Sequence, residues 1–208
     1  LLIVLSAIML IFERKLIYFP QRAHDATPRE LGLAFEDLTL TAEDADNNGD
    51  LSVGDKGTFV YENCVTGTAG GSYTRNGKVT TTFTKLIGEI DPLNIYEAGL
   101  NILFENLTLG IAGTTGIMNG NLSSGTVNNP SGISINTITA PSLNIAIGAD
   151  ALVYTNYQAD SAINNLTTAY SNSVLGRFAA SGLGTFNLST PTPFQGVGNA
   201  NPSAGVLK

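Results

Sequence analysis

The residues best suited to chemistry lie in one short acidic segment, residues 44–55, which reads DADNNGDLSVGD. A twelve-residue calcium loop places oxygen ligands at positions 1, 3, 5, 7, 9 and 12, with a glycine at position 6 for the turn. Gly49 and Leu51 fall at the glycine and apolar positions of this pattern. The ligand positions are occupied by Asp44, Asp46, Asn48, Asp50 (through its backbone carbonyl), Ser52 and Asp55. The spacing therefore predicts a Ca²⁺ site made by one contiguous segment.

Two features set this segment apart from a calcium-sensor loop. Asp55 stands where sensor loops have glutamate, and the shorter side chain favours a modest affinity. After the loop, Gly54 and Gly57 precede a strand-like run, TFVYENC, instead of a helix. Loops that end in Asp resemble the dockerin-type calcium loop of secreted bacterial β-rich proteins. The alternative interpretation is a metal-free turn, because Asp, Asn and Gly favour turns without any ion.

The composition limits the classes of function. The chain has 208 residues, which suffices for one β-rich domain or two small ones. Its net charge is −7 and its pI is about 4.5, which argues against a nucleic-acid partner because such binding needs a basic surface. One cysteine and one histidine are too few for a Cys/His zinc site. We expect Cys64 to be a buried apolar residue of a strand.

The N-terminal region differs from the rest of the chain. Residues 1–20 open with LLIVLSAIMLIF, and we expect an apolar helix that is a membrane anchor, a signal remnant or an assembly helix. These twelve residues, apolar apart from Ser6, span roughly 18 Å, which is short of a ~30 Å bilayer core, so a membrane span would need upstream residues or the following LIYF. Residues 21–43 form a lead-in segment to the large domain.

The first 43 residues resemble a known family. The apolar start, then LIYFP, then TPRELGLAFEDLTLTAED, resembles the N-terminal anchor and lead-in of membrane-anchored α/β-hydrolases. The resemblance implies a hydrolase core downstream, whose nucleophile elbow would read Gly-x-Ser-x-Gly. That pentad is absent from the sequence, and no histidine follows His24 to complete a triad. We therefore predict no catalytic residues and no enzyme activity.

The remainder of the chain predicts strands. Runs such as GTFVYENC, KVTTTFTKLIG and LNILFENLTLGI are rich in β-branched and aromatic residues. The predicted fold is mainly β, an antiparallel β-sandwich or barrel-like domain over residues 44–208, preceded by the apolar N-terminal helix. RNGK at residues 75–78 predicts an Asn-Gly turn, and residues 159–178 form a candidate helix. Short phrases such as Asn-Leu-Ser/Thr recur at irregular intervals, so no solenoid repeat is predicted.

These features favour a non-enzymatic, extracytoplasmic, structural or adhesive protein. Low charge and long polar but uncharged β segments suit a surface or fibre subunit that self-associates through edge strands or the N-terminal helix. A stabilising Ca²⁺ loop fits this interpretation, as does attachment to a membrane through residues 1–19. The alternatives are an inactive or truncated membrane-anchored hydrolase relative, or a calcium-dependent carbohydrate or cell-wall binding module.

Overall fold

The structure, a computed structural model, describes residues 37–68, 71–111 and 114–208. Their main elements are eleven β-strands, and no helix occurs among these residues. The N-terminal helix predicted for residues 1–20 and most of the lead-in lie outside the described residues. The strands are β1 (Asp37–Glu43), β2 (Lys56–Thr68), β3 (Gly71–Ile87), β4 (Tyr96–Ile111), β5 (Thr114–Asn128), β6 (Ile133–Ile147), β7 (Asp150–Asn164), β8 (Ala169–Ala180), β9 (Gly184–Ser189), β10 (Thr192–Val197) and β11 (Ala204–Val206).

All eleven strands belong to one antiparallel sheet. From β1 to β8 each strand pairs with the next strand along the chain, so the sheet is a long meander. Beyond β8 the order divides: residues 175–180 of β8 pair with β9, and residues 169–172 pair with β10, which in turn pairs with β11. The prediction of a mainly β, antiparallel fold is confirmed.

The two faces of the sheet differ in polarity. Opposed residues of neighbouring strands lie on the same face, and one row of such residues crosses nine strands with mainly apolar side chains. Buried core residues, including Leu100, Ile102 and Leu122, lie on this apolar face. On the opposite, polar face, adjacent rows are rich in Thr, Ser and Asn, as expected for half-buried antiparallel strands. The apolar row is Leu40, Phe59, Val79, Phe104, Gly120, Leu143, Tyr154, Phe178 and Phe186.

A bulge line of positive-φ residues crosses the middle of the sheet beside the β-bulges of β2, β4 and β7 and is interrupted at β6. Asparagines and glycines alternate along it in the left-handed region of φ, a conformation that these two residue types adopt most readily. In β2 the backbone N–H of Asn63 donates to Asn76 Oδ1 at 2.6 Å, and in β4 that of Asn106 donates to Asn119 Oδ1 at the same distance. These side-chain bonds satisfy backbone donors that the bulges remove from the ladder. The line comprises Asn63, Gly77, Asn106, Gly120, Asn156 and Gly176.

The bulge line reveals a repeat that the sequence prediction missed. Residues 61–81 read YENCVTGTAGGSYTRNGKVTT, and residues 104–124 read FENLTLGIAGTTGIMNGNLSS. The two align without a gap at an offset of 43 residues, and they share Glu-Asn, Ala-Gly and Asn-Gly at the same places. Each copy forms a hairpin, β2–β3 or β4–β5, with a bulge at a positive-φ Asn in its first strand and a positive-φ Gly in its second strand. The repeat is therefore marked by the residues of the bulge line. The Asn-Leu-Ser/Thr phrases, which are commoner, do not mark it.

Two local predictions were wrong. The Asn-Gly pair at residues 76–77 lies inside β3. Gly77, with its positive φ, is opposite a bulge in β4 and does not form a hairpin turn. The candidate helix at residues 159–178 is instead the end of β7, a short turn and most of β8. Its Asn, Ser and Thr residues favour helix weakly, and the ladders on both sides of the hairpin satisfy its backbone as strand. Cys64 is buried, as predicted.

Candidate metal centre

The acidic segment forms the loop that joins β1 to β2. Glu43 and Lys56, the last and first residues of these strands, are opposed in the ladder, and their side chains form an exposed ion pair of 3.2 Å. Between them, the carboxylates of Asp44, Asp46 and Asp55 offer oxygen atoms that all lie within 4.8 Å of one another. The carboxylates at positions 1, 3 and 12 of the predicted calcium loop are therefore brought together in space.

Asp44 organises the outer half of the loop. Its two carboxylate oxygens accept the N–H of Asp46 at 3.2 Å and the N–H of Gly49 at 2.8 Å. Gly49 has a φ of 77° and Asn47 one of 56°, so the chain turns tightly around this carboxylate. The bond from the Gly49 N–H, more than any other contact, holds the pKa of Asp44 below its usual value.

Asp55 organises the inner half of the loop. It is only 8% exposed. Its Oδ1 accepts the Ala45 N–H at 2.8 Å, and its Oδ2 accepts the Ser52 N–H at 2.7 Å. The hydroxyl of Ser52 also donates to Asp55 Oδ1, at 3.1 Å. One buried carboxylate thus ties the start of the loop to its end.

The end of the loop is fixed to the sheet by β3. The Gly54 N–H donates to the Phe83 carbonyl at 2.8 Å, and the Phe83 N–H donates to the Asp55 carbonyl at 3.0 Å. Phe83 is itself a buried core residue of the apolar face. The carboxylate of Asp55 therefore has a rigid backbone support, which sequence spacing alone could not indicate.

Two further predicted ligands, Asn48 and Ser52, have side chains that form hydrogen bonds within the loop. Asn48 Oδ1 accepts the Asp50 N–H at 2.6 Å, and Asn48 Nδ2 donates to Asp46 Oδ2 at 2.9 Å. Ser52 points its hydroxyl at Asp55. Three carboxylates with further amide, hydroxyl and carbonyl oxygens in one loop make the hard oxygen set that Ca²⁺ prefers. An ion bound at this place would be coordinated by oxygen atoms that now accept hydrogen bonds from N–H groups of the loop.

The lowered pKa of Asp44 predicts how the loop responds to acid. A carboxyl group whose folded pKa is depressed contributes stability above its unfolded pKa and loses that contribution as the pH falls through the folded value. We therefore expect the Asp44–Gly49 bond to persist at pH 3.8, the usual pKa of the group, and to break only below it. Carboxyl ¹³C chemical shifts followed by NMR during an acid titration measure this directly. A midpoint for Asp44 at or above 3.8 would contradict the hydrogen bond.

No protein-family model, curated protein or solved structure matches this chain. Among the described residues, no helix is both long and apolar enough to cross a membrane. The function is therefore inferred from the geometry of the loop and the sheet.

Proposed function

We propose that this protein is a non-enzymatic, extracytoplasmic structural or adhesive subunit that self-assembles through its edge strands and is stabilised by Ca²⁺. The observation that carries the proposal is that β1 is an edge strand with exposed apolar side chains. Among the described residues it pairs on one side only, with β2. Leu38 and Leu40 are 46% and 44% exposed on it. An edge strand with apolar side chains is a template for strand addition by another chain.

The two edges of the sheet are not equivalent. β1 is a continuous run of seven residues whose charged residues, Asp37 and Glu43, stand only at its ends. The far edge is divided between β9, of six residues, and the β10–β11 pair, in which β11 has three. Short, interrupted edge strands are one way in which proteins prevent sheet extension. This asymmetry favours β1 as the strand that pairs with a partner.

The calcium loop lies where it would control this edge. It follows β1 without an intervening residue and returns the chain into β2, while Asp55 is held by β3. An ion shared by Asp44, Asp46 and Asp55 would therefore fix the end of β1 against the rest of the sheet. Loops of modest affinity are suited to the millimolar calcium found outside cells, which supports the extracytoplasmic location. Membrane attachment or assembly through residues 1–20 remains part of the proposal and concerns residues outside the described part.

We further propose that the sheet curls over its apolar face in a sandwich- or barrel-like manner. The support is the burial of side chains such as Phe83, Ile102 and Leu143, each at most 7% exposed. Apolar side chains gain about 25 cal/mol for each Å² removed from water. A bulge line that crosses the sheet also increases twist and bending where it passes.

Blocking β1 tests the assembly. Wild-type protein is expected to sediment as oligomers, and Leu40→Lys is expected to shift it to monomer, because a lysine on an edge strand opposes strand addition. Leu93→Lys is the matched control, since Leu93 is 83% exposed in the β3–β4 connection and lies outside every strand. Far-UV circular dichroism verifies that both variants retain the sheet. Monomeric wild-type protein, or oligomers that persist in Leu40→Lys, would refute assembly through β1.

Calcium titration tests the loop. Isothermal titration calorimetry is expected to show one Ca²⁺ site, accompanied by a rise in melting temperature, because an ion that binds only the folded state stabilises it by mass action. Asp44→Ala and Asp46→Ala should each abolish the heat, whereas Glu89→Ala, outside the loop, should leave it unchanged. If wild-type protein gives no heat and no calcium-dependent change in melting temperature, the metal claim fails.

A further inference from the structure

A shallow groove crosses β3, β4, β5 and β6 at some distance along the strands from the bulge line. It encloses about 330 Å³ and is lined mainly by the polar face of the sheet. The groove belongs to neither the calcium loop nor the β1 edge. The side chains that shape it are Lys85, Glu97, Ser123, Ile135, Thr137 and Thr139.

Two glycines form the floor of this groove. Gly99 of β4 and Gly125 of β5 are directly opposed in the ladder, so two neighbouring strands lack a side chain at the same place. A Cβ built on Gly125 would meet no atom within 4 Å, which shows that the space above it is open. A Cβ on Gly99 would lie 2.7 Å from Thr84 Oγ1, so that position needs glycine for the close approach of β3. Gly125 alone is free of this constraint, and its absent side chain leaves room for a ligand.

The groove has apolar surface as well as polar side chains, and most of its polar groups are held in place. The Lys85 ammonium and the Glu97 carboxylate form an ion pair at one end. The Thr137 hydroxyl donates to Asp160 Oδ1 at 2.8 Å, and the Ser123 hydroxyl donates to Asn101 Oδ1 at 3.3 Å. These hydroxyl oxygens keep acceptor capacity for a ligand donor. Ile135, 41% exposed, adds an aliphatic surface beside them.

We propose that this groove binds a neutral carbohydrate. Hydroxyl groups and a mutually neutralised ion pair offer hydrogen-bond partners without a net charge, which suits a ligand of many hydroxyls and no ionic group. Ile135 can pack against the C–H face of a sugar ring, and the volume matches the lower part of the range for small-molecule pockets. The groove is open and shallow, so affinity in the millimolar range is expected. This role goes beyond structural assembly and does not depend on it.

The test uses neutral oligosaccharides as probes: maltotriose, cellotriose and N,N′-diacetylchitobiose, titrated to millimolar concentration into ¹⁵N-labelled protein. At least one probe is expected to shift the amide resonances of Gly99, Gly125 and Thr137 in a saturable way. Gly125→Val should abolish the shifts, because valine fills the open space while it suits a strand. Thr155→Val, a nearly isosteric change on the same face outside the groove, should leave them unaltered.

The outcomes separate this proposal from the assembly of the protein. Binding that is lost only in Gly125→Val, and that persists in the Leu40→Lys variant, supports a carbohydrate groove whether or not β1 mediates assembly. Absence of saturable shifts with all three probes overturns it. Shifts that remain in a folded Gly125→Val protein, or that map to another part of the sheet, overturn it as well.

Discussion

Replacing Gly120 with alanine is expected to lower the free energy of unfolding by about 3 kcal/mol or more. Gly120 sits in the bulge line with a φ of 121°, a conformation that L side chains rarely adopt. A Cβ at this position would lie 2.2 Å from the Ser142 carbonyl oxygen and 3.0 Å from the Leu143 Cα. Both atoms belong to the backbone of β6, so the clash can be relieved only by moving the strand. Urea denaturation followed by circular dichroism measures the change.

Gly125→Ala is the matched control, because it makes the same chemical change in the same strand. Gly125 has no positive φ, and an added Cβ would meet open space. Since alanine also restricts the unfolded chain more than glycine does, we expect this variant to be neutral or stabilised by about 0.5 kcal/mol. Equal destabilisation in the two variants would show that the bulge line does not have the described geometry.

Replacing Asp55 with alanine is expected to cost about 3 kcal/mol even in calcium-free protein. The change leaves the N–H groups of Ala45 and Ser52 without their carboxylate acceptor. A part-buried donor that loses its partner costs about 1–3 kcal/mol. Thermal and urea unfolding in the presence of a calcium chelator measure this contribution separately from any contribution of the ion.

Asp46→Ala provides the comparison within the same acidic cluster. Its carboxylate accepts hydrogen bonds only from Asn48 among the bonds described, and these are exposed. In the chelated state we expect a loss of no more than about 0.5 kcal/mol, as for most surface substitutions. Both variants should abolish calcium binding, but only Asp55→Ala should destabilise the metal-free protein. If Asp46→Ala were as destabilising as Asp55→Ala, the structural role assigned to Asp55 would be wrong.

The acidic loop could be predicted from sequence because its ligand pattern is local. Spacing alone placed Asp44, Asp46 and Asp55 in one site, and the structure brings their carboxylates together. The support from Phe83 could not be predicted, since it comes from a strand more than twenty-five residues further along the chain. The affinity for an ion depends on the free energy of exchanging the loop's own hydrogen bonds for metal bonds, a balance that the spacing of ligands in a sequence does not determine.

The strands were predictable in kind but not in extent. β-Branched and aromatic runs indicated β2, β3 and β4, yet the Asn-Gly pair at residues 76–77 indicated a turn. Gly77 and Gly120 have the same positive φ inside strands, where they lie beside or opposite bulges of β4. A sequence shows that a residue tolerates positive φ, but the ladder partners on both sides decide whether the chain reverses there. The Ala, Leu and Val spacing of residues 159–178 likewise suggested a helix, whereas ladder partners on both sides make the segment the end of β7 and most of β8.

The unbroken order of pairing from β1 to β8 has a consequence for the time course of folding. Each strand needs only the strand before it as a template, so the chain can add hairpins one after another without waiting for distant segments. Closing a connection of a few residues costs little entropy and is fast, whereas pairing of remote strands is slow. A chain that emerges progressively from its N-terminal side could therefore build the sheet strand by strand. At every intermediate stage the newest strand is a temporary open edge of the sheet. The segment that follows it in the sequence is the nearest one that can pair with this edge.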